Sequence, residues 1–219
     1  MDPFEARLQF IKTLQRLNAS TSSNDAACQF MLKHDEVQED LYSCILQELA
    51  VSSINTRLNI FGFLNSLCEN LINKYNDPTN HNYCIWLNRD FVEIVQKTVP
   101  EDHSDGLLNL GPTLDLISKT GCFGQLIQAD TLAAATAFLD KRRQEPMAAT
   151  PVRMSREQIL RRMDEDRERA KRAKESIWAI DYKANPNYEF DMMWDNLTTL
   201  QKLDFEQMLE DNEIAAPGV

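Results

Sequence analysis

The segment from residue 53 to residue 75 constrains the fold most, because its helical pattern is apolar on more than one face. Its apolar side chains recur at helical spacing and are Ile54, Leu58, Phe61, Leu64, Leu67, Cys68, Leu71, Ile72 and Tyr75. A helix that is apolar around most of its circumference has to lie inside a protein, with other helices packed around it. The sequence therefore predicts a helical assembly built on this segment.

Further helical patterns fill the rest of the first 140 residues. Asp2 and Pro3 form a helix start, with the aspartate as N-cap and the proline at the first helical position, and this first helix is predicted to run to about Asn18. Later helices are predicted to start near Asp25, Asp35, Asn80, Pro112 and Gln125. Only 6 glycines and 8 prolines occur among 219 residues, too few for the many short strands and turns of an all-β protein. We expect an all-α fold with about seven helices in this part.

The composition changes after Arg143, where the string QEPMAATPV brings two prolines and several small residues. Ser155 and Gln158 then form a capping box that opens a long charged helix. The predicted divisions are a helical domain over 1–143, a linker over 144–154, a partner-binding helical segment over 155–209 and a disordered tail over 210–219.

The charge is distributed unevenly along the chain. The net charge is -11, yet residues 141–175 carry 12 basic and 7 acidic residues, while residues 1–140 carry 9 against 18 and residues 176–219 carry 2 against 9. An acidic chain does not coat a polyanion with its whole surface, so any binding to nucleic acid or anionic lipid would have to be local.

Cysteines and histidines give no pattern of a metal site or a catalytic site. The cysteines are Cys28, Cys44, Cys68, Cys84 and Cys122, and the histidines are His34, His81 and His103. The cysteines form no CxxC pair and stand mostly among apolar residues, which indicates reduced core thiols of an intracellular protein. No phosphate loop, GxSxG or HExxH motif occurs. We expect no catalytic residue, no metal and no cofactor, and neither a signal peptide nor a membrane-spanning run is evident.

The basic helix admits three interpretations: a solvated helix, a nucleic-acid surface or a helix docked on a partner protein. Its best apolar stripe, made of Ile159, Met163, Ala170, Ala173 and Ile177, is too thin to fold alone. Interleaved carboxylates, such as those of Asp164, Glu165, Asp166 and Glu168, disfavour nucleic acid. The aromatic residues that follow are Trp178, Tyr182, Tyr188, Phe190 and Trp194. They favour docking on a partner, with packing on the chain's own helical domain as the alternative.

Four strings in the sequence resemble two known families. The string FGFLNSLCEN over 61–70 resembles the recognition helix of domains that bind the C-terminal repeat tail of RNA polymerase II, which are right-handed superhelices of about eight helices. The strings MDPFEARLQFIKTLQRL, RMDEDRERAKRAKESIWAI and EFDMMWDNL resemble the gamma subunits of fungal kinase complexes that act on that tail. The resemblance extends over effectively the whole chain.

Within the recognition helix the chain departs from the peptide-binding pattern at two positions. Such domains carry an aspartate where this chain has Asn65, followed by the matching Ser66, and a lysine where it has Glu69. The loss of a carboxylate acceptor at residue 65 and the replacement of a cation by an anion at residue 69 both weaken recognition of a phosphorylated repeat. These positions predict an architectural rather than a peptide-reading role for the domain.

The resemblance implies a non-catalytic regulatory subunit in the nucleus, with cytoplasm as a second compartment. Its implied partners are a cyclin-like subunit and a cyclin-dependent-kinase-like catalytic subunit, with the polymerase tail reached indirectly and no direct contact with membrane or nucleic acid. The residues expected to contact a partner are Arg162, Met163, Asp166, Arg167, Lys171, Lys174, Trp178, Ile180 and Trp194. The alternative function is an adaptor that itself binds the phosphorylated tail.

Overall fold

The computed structural model describes residues 2–101, 104–118, 122–144 and 154–177, together with the single residues Phe190, Trp194, Phe205, Met208 and Leu209. These residues contain helices and no strand. The helices are α1 Pro3–Gln15, α2 Thr21–Lys33, α3 Gln38–Val51, α4 Ile54–Lys74, α5 Asn82–Thr98, α6 Leu110–Ser118, α7 Phe123–Leu126, α8 Ala129–Gln144 and α9 Arg156–Ile177. Short 3₁₀ helices cover Asp35–Val37, Pro78–Asn80 and Ser104–Asn109.

Helix α4 is the centre of the assembly, as its apolar pattern predicts. Thirteen of its 21 residues are buried. Phe61 and Phe63, which lie on different faces of the helix, are both fully buried. Phe61 packs against Phe91 of α5 and Phe123 of α7, with ring centroids 6.1 Å and 5.0 Å away. Neighbours on several sides explain why most of this helix is buried, polar side chains such as Asn59 and Asn65 included.

The first three helices each pack on the second helix after them along the chain: α1 on α3, α2 on α4 and α3 on α5. Helix α5 also packs on α8, which closes the far end of the stack. This pairing pattern is that of a helical superhelix, in which each added pair of helices continues the core of the pair before it. The all-α superhelical fold that the sequence predicts is confirmed.

The helix starts depend on local caps that the sequence partly reveals. Asp2 accepts a hydrogen bond from the backbone N–H of Glu5 at 3.3 Å, so the predicted start of α1 is confirmed. Helix α2 begins at Thr21 rather than near Asp25, because Ser20 accepts a hydrogen bond from the backbone N–H of Ser23. A serine at the N-cap satisfies a donor that the helix leaves free, so α2 begins about four residues earlier than expected.

One predicted helix, over 125–142, is two helices in the structure. The side chain of Asn88 on α5 accepts from the backbone N–H of Gln128 at 2.7 Å and donates to the carbonyl oxygen of Leu126 at 2.9 Å. This one amide therefore satisfies the end of α7 and the beginning of α8 together. The break is imposed from α5, 40 residues away along the chain, and the local sequence does not show it.

By compactness the chain forms two units, Met1–Lys174 and Glu175–Val219. This division differs from the predicted domains, because most of α9 belongs to the first unit and not to a separate segment that starts at residue 155. The predicted linker over 144–154 and the predicted tail over 210–219 lie almost entirely outside the described residues.

Candidate functional site

The candidate site is α9 and the surface of the helical domain on which it lies. Ser155 and Gln158 form the predicted capping box: the backbone N–H of Ser155 donates to Oε1 of Gln158 at 2.9 Å, and the backbone N–H of Gln158 donates to Oγ of Ser155 at 3.2 Å. The two bonds satisfy both donors reciprocally and fix where the helix begins. The start of α9 is confirmed.

Arg162 anchors α9 to the domain. Its guanidinium group donates to Oδ1 of Asn109 at 2.6 Å, to Oδ1 of Asn55 at 3.3 Å and to the carbonyl oxygen of Leu108 at 2.9 Å. The side chain is buried, and its charge is balanced by Asp166, four residues further on, at 2.9 Å. A buried guanidinium is tolerated only when its donors are used and its charge is paired, and both conditions hold here.

The asparagine side chains that receive Arg162 are themselves fixed by the backbone. The amide group of Asn109 donates to the carbonyl oxygens of Ile54 and Thr98, each at 2.9 Å, so its oxygen is left facing the guanidinium group. The amide group of Asn55 donates to the carbonyl oxygen of Gln158 on α9 at 3.2 Å. The oxygen of Asn109 is therefore positioned by the domain independently of α9, whereas the amide group of Asn55 is held by α9 itself.

A second set of contacts follows along α9, toward the loop between α1 and α2. Arg169 donates to Oδ1 of Asn59, whose amide group donates to the carbonyl oxygen of Leu17 at 3.0 Å. The same carbonyl accepts from Arg161 at 3.3 Å, and Arg172 donates to the carbonyl oxygen of Ala19 at 2.9 Å. Arginine suits this role because its planar fork reaches several acceptors at once.

Carboxylates on α9 itself balance the positive charge of these arginines. Glu165 is buried and accepts from Arg161 at 2.9 Å and from Arg169 at 3.5 Å. Burial lowers the pKa of Arg169, and the nearby charge of Arg162 lowers it further, while Asp166 and Glu165 raise it. Arginine keeps its charge through such a shift at neutral pH. The docked face of α9 is thus an internally paired cluster of ions held against polar groups of the domain.

The predicted partner-contacting residues divide into two groups. Arg162 donates to the chain's own domain and pairs with Asp166 of the same helix, and contact of these two residues with another subunit stays a prediction. The helical spacing alone does not tell which face of α9 is covered. Met163 is 48% exposed and Arg167 is 75% exposed. Lys171 and Lys174 are exposed as well.

The aromatic anchors proposed from the sequence are described only in part. Trp194 is 64% exposed and stacks on Phe190, with ring centroids 5.8 Å apart. Trp178 and Ile180 lie outside the described residues.

The three peptide-groove positions are occupied by contacts within the domain or face solvent. Oδ1 of Asn65 accepts from the backbone N–H of Cys122 at 2.7 Å, and this side chain is buried. Oγ of Ser66, also buried, accepts from the amide group of Asn24 at 3.4 Å. Glu69 is exposed on the same helix. Polar groups that such a groove would offer to a peptide are therefore used to hold α2 and the start of α7 on α4.

Sequence reasoning missed the asparagine side chains that receive α9. Asn55 and Asn59 stand four residues apart, on one face of the most apolar helix, and both are buried. A polar pair at helical spacing inside an apolar helix was the available signal, because buried amides need hydrogen-bond partners. Asn109 carried no comparable signal, because it lies in a loop region of the sequence.

Within the described ranges, no three side chains of histidine, cysteine, aspartate or glutamate are placed to share a metal ion. His103 lies outside these ranges. None of the helices that the structure describes combines the length and the apolar character that crossing a bilayer requires.

Two family models match the chain at its two ends. The model described as CTD kinase subunit gamma CTK3 matches residues 1–120, and the model described as CTD kinase subunit gamma CTK3 C-terminus matches residues 155–216. The chain belongs to the CTD kinase subunit gamma family. The CTD kinase subunit gamma of Schizosaccharomyces pombe (strain 972) is 34% identical over 216 residues, which are 97% of this chain and 95% of that relative.

A solved structure agrees with this membership of the CTD kinase subunit gamma family. It is the structure of a non-canonical CID (CTD-interacting domain) of Ctk3, and the chain is similar to it with a TM-score of 0.59 and 33% identity. The similarity covers 66% of this chain and 100% of the solved chain. The two family models match separate regions and leave residues 121–154 between them unmatched. In this structure the two regions are in contact, because α9 of the second region lies on the domain that the first model matches.

Proposed function

We propose that the chain is a non-catalytic assembly subunit of a cyclin-dependent-kinase-type complex that phosphorylates the C-terminal repeat domain of RNA polymerase II. In this proposal it joins a cyclin-like subunit to the catalytic subunit in the nucleus, and it acts in transcription elongation and mRNA processing. Membership of the CTD kinase subunit gamma family supports the part of this proposal that makes the chain a subunit of a kinase complex.

The observation that carries the assembly role is the division of α9 into two faces. Arg162 and Arg169 hold one face on the domain, while Met163 and Arg167 on the other face are exposed. A helix fixed in this way loses less backbone conformational entropy when it binds another protein, which favours a stable assembly. A subunit of this kind stabilises its partners by mass action and needs no catalytic group of its own.

The peptide-groove positions of α4 give less support to the alternative function, in which the chain itself binds the phosphorylated tail. Asn65 and Ser66 are engaged by Cys122 and Asn24, and the exposed Glu69 would repel a phosphate. Titrating the full chain with a phosphorylated tail peptide should show no saturation up to millimolar concentration. Saturable binding in the micromolar range would favour the adaptor function instead.

The decisive experiment is quantitative mass spectrometry of the proteins that copurify with the tagged full chain at its natural abundance. The proposal expects a kinase and a cyclin-like protein in equal amounts with the chain. The purified chain alone should transfer no phosphate to a tail peptide, whereas the copurified complex should. Recovery of the chain without a kinase would contradict the proposal.

The aromatic anchors and the nuclear location have separate tests. A double variant Trp178→Ala, Trp194→Ala should recover less of the cyclin-like partner, because large aromatic side chains commonly dominate the free energy of an interface. An undiminished yield would exclude these anchors while leaving the assembly role open. A fluorescent tag on the chain should accumulate in the nucleus.

A further inference from the structure

The basic residues of α9 divide between its two sides. Between residues 156 and 174 there are eight arginines and lysines. Four of them donate hydrogen bonds to the domain and are Arg161, Arg162, Arg169 and Arg172. Because successive residues turn by about 100° around a helix axis, the other four fall on the opposite side. They are Arg156, Arg167, Lys171 and Lys174.

Three large apolar side chains are exposed in the first two turns of the helix; Ile159 and Met163 lie on that opposite side, and Leu160 lies at its edge, where it lines an open groove with Arg16 and Asn18 of the domain. Ile159, Leu160 and Met163 are 46%, 52% and 48% exposed. Single exposed apolar residues are ordinary, but three exposed neighbours form a patch of the kind that marks interaction sites. We call the patch, together with the four basic residues of this side, the outer stripe of α9.

No carboxylate is a member of the outer stripe, but acids border it: Arg156 and Leu160 line one open groove with Glu157 and Asp164. Glu165 and Asp166 pair with arginines of the docked face, and the remaining acids of α9 lie along one flank of the helix. Of these, Asp164 pairs with Arg167 at 3.0 Å, but both side chains are 75% exposed, so the pair is weak and easily exchanged. The stripe is therefore a positive surface on a domain whose first 140 residues carry 18 acidic and 9 basic residues.

We propose that the outer stripe is the docking surface for an acidic protein subunit whose surface has an apolar hollow followed by carboxylates. The hollow would receive Ile159, Leu160 and Met163, and the carboxylates would meet Arg167, Lys171 and Lys174. At about 1.5 Å per residue, these cations lie about 6 to 16 Å from Met163 along the helix axis. This inference rests on the proposed assembly function and adds to it the contacting face and the chemistry of the partner.

A protein fits the outer stripe better than a nucleic acid does. Against a phosphate backbone the apolar patch would find no apolar surface to pack on. On a protein it can pack into an apolar groove, as amphipathic helices commonly do. The acidic flank of α9 would also repel phosphates on one side of the cations. Charge complementarity, rather than apolar area alone, identifies the partner surface as acidic.

The test compares two triple variants of the full chain, each coexpressed with the kinase and the cyclin-like subunit. The stripe variant carries Arg167→Glu, Lys171→Glu and Lys174→Glu. The control carries Lys12→Glu, Lys33→Glu and Arg143→Glu, which change the net charge equally at exposed positions on other helices. We expect the stripe variant to bind the partner at least about tenfold more weakly and with reduced salt dependence, and the control to bind within about twofold of wild type.

A second variant tests the apolar part. Ile159→Ser with Met163→Ser should weaken assembly at low and at high salt alike, because apolar contacts are not screened. Both side chains are about half exposed, so circular dichroism and the melting temperature of the free chain should change little, which separates lost binding from lost folding.

The outcomes are distinguishable. If the wild-type chain does not assemble with the kinase and the cyclin-like subunit, the proposed function fails. If it assembles and the stripe variant assembles as tightly as the control, only the outer stripe is excluded. If nuclease treatment dissolves the complex, the stripe binds nucleic acid and the inference is overturned.

Discussion

Nη1 of Arg162 on α9 lies 2.6 Å from Oδ1 of Asn109, 53 residues earlier in the chain. Both side chains are buried, and the amide group of Asn109 is held by two backbone carbonyl oxygens. This pair joins the regions that the two family models match separately, over 1–120 and 155–216. The helical domain is thus completed by a helix from the C-terminal region.

Replacing Arg162 with alanine should destabilise the first unit. The change leaves the buried oxygens of Asn109 and Asn55 without their donor, and a loss of about 2 to 4 kcal/mol in the free energy of unfolding follows. Urea denaturation of the full chain measures it. Arg167→Ala on the exposed side of the same helix is the matched control and should change stability by less than about 0.5 kcal/mol. Equal effects of both substitutions would show that Arg162 does not anchor α9.

Replacing Asn88 with alanine should loosen the junction between α7 and α8. The variant removes the acceptor for the backbone N–H of Gln128 and the donor to the carbonyl oxygen of Leu126. We expect a loss of about 1 to 2 kcal/mol, as for other capping side chains, with faster amide exchange at Gln128. Asn73→Ala at an exposed position of α4 is the control. Unchanged exchange at Gln128 would contradict the capping role.

The stability of the domain should fall as the pH drops below the ordinary pKa of histidine. Nδ1 of His81 accepts from the backbone N–H of Tyr83 at 3.2 Å and caps α5. Burial lowers the pKa of His81 from its ordinary value of 6.5. As the pH falls, the unfolded chain therefore binds a proton before the folded chain does. The free energy of unfolding decreases from pH 6.5 down to the lowered pKa that His81 has in the folded chain.

Denaturation curves collected between pH 7.5 and pH 5 measure this effect, whose slope cannot exceed about 1.4 kcal/mol per pH unit for one proton. His81→Asn keeps a capping acceptor without a titrating group, and its curve should be flatter in this range. A variant with the same slope as wild type would assign the pH dependence to other groups.

The five cysteines should react slowly with a thiol reagent in the folded chain. All are free, and four are buried, whereas Cys122 is partly exposed. Burial raises the pKa of Cys28 to about 12, and Asp25 and Glu69 add to the shift. Since only the thiolate attacks, the reagent should titrate at most Cys122 at neutral pH and all five cysteines after unfolding in urea. Rapid labelling of two or more cysteines in the native protein would contradict the buried placement.

Much of the helical domain could be predicted because its signals are local or periodic. The capping residues Asp2 and Ser155, and the apolar pattern of α4, each act within a few residues of the chain. The break between α7 and α8 could not be predicted, because it is made by Asn88 from another helix. In α1, helical spacing would place the apolar Phe4 and Leu8 with Leu14 in the core, yet Phe4 and Leu8 are exposed while Leu14 is buried.

By itself the sequence determined that this chain is helical, that α4 is central and that α9 begins at a capping box, because periodicity and caps are short-range properties. It also determined the family, through strings at both ends of the chain. The tertiary structure decided which side of α9 is covered. An arginine on a charged helix is equally compatible with solvent, a partner or its own domain, and only the placement of Asn55, Asn59 and Asn109 selects among them, because buried amide oxygens demand a donor.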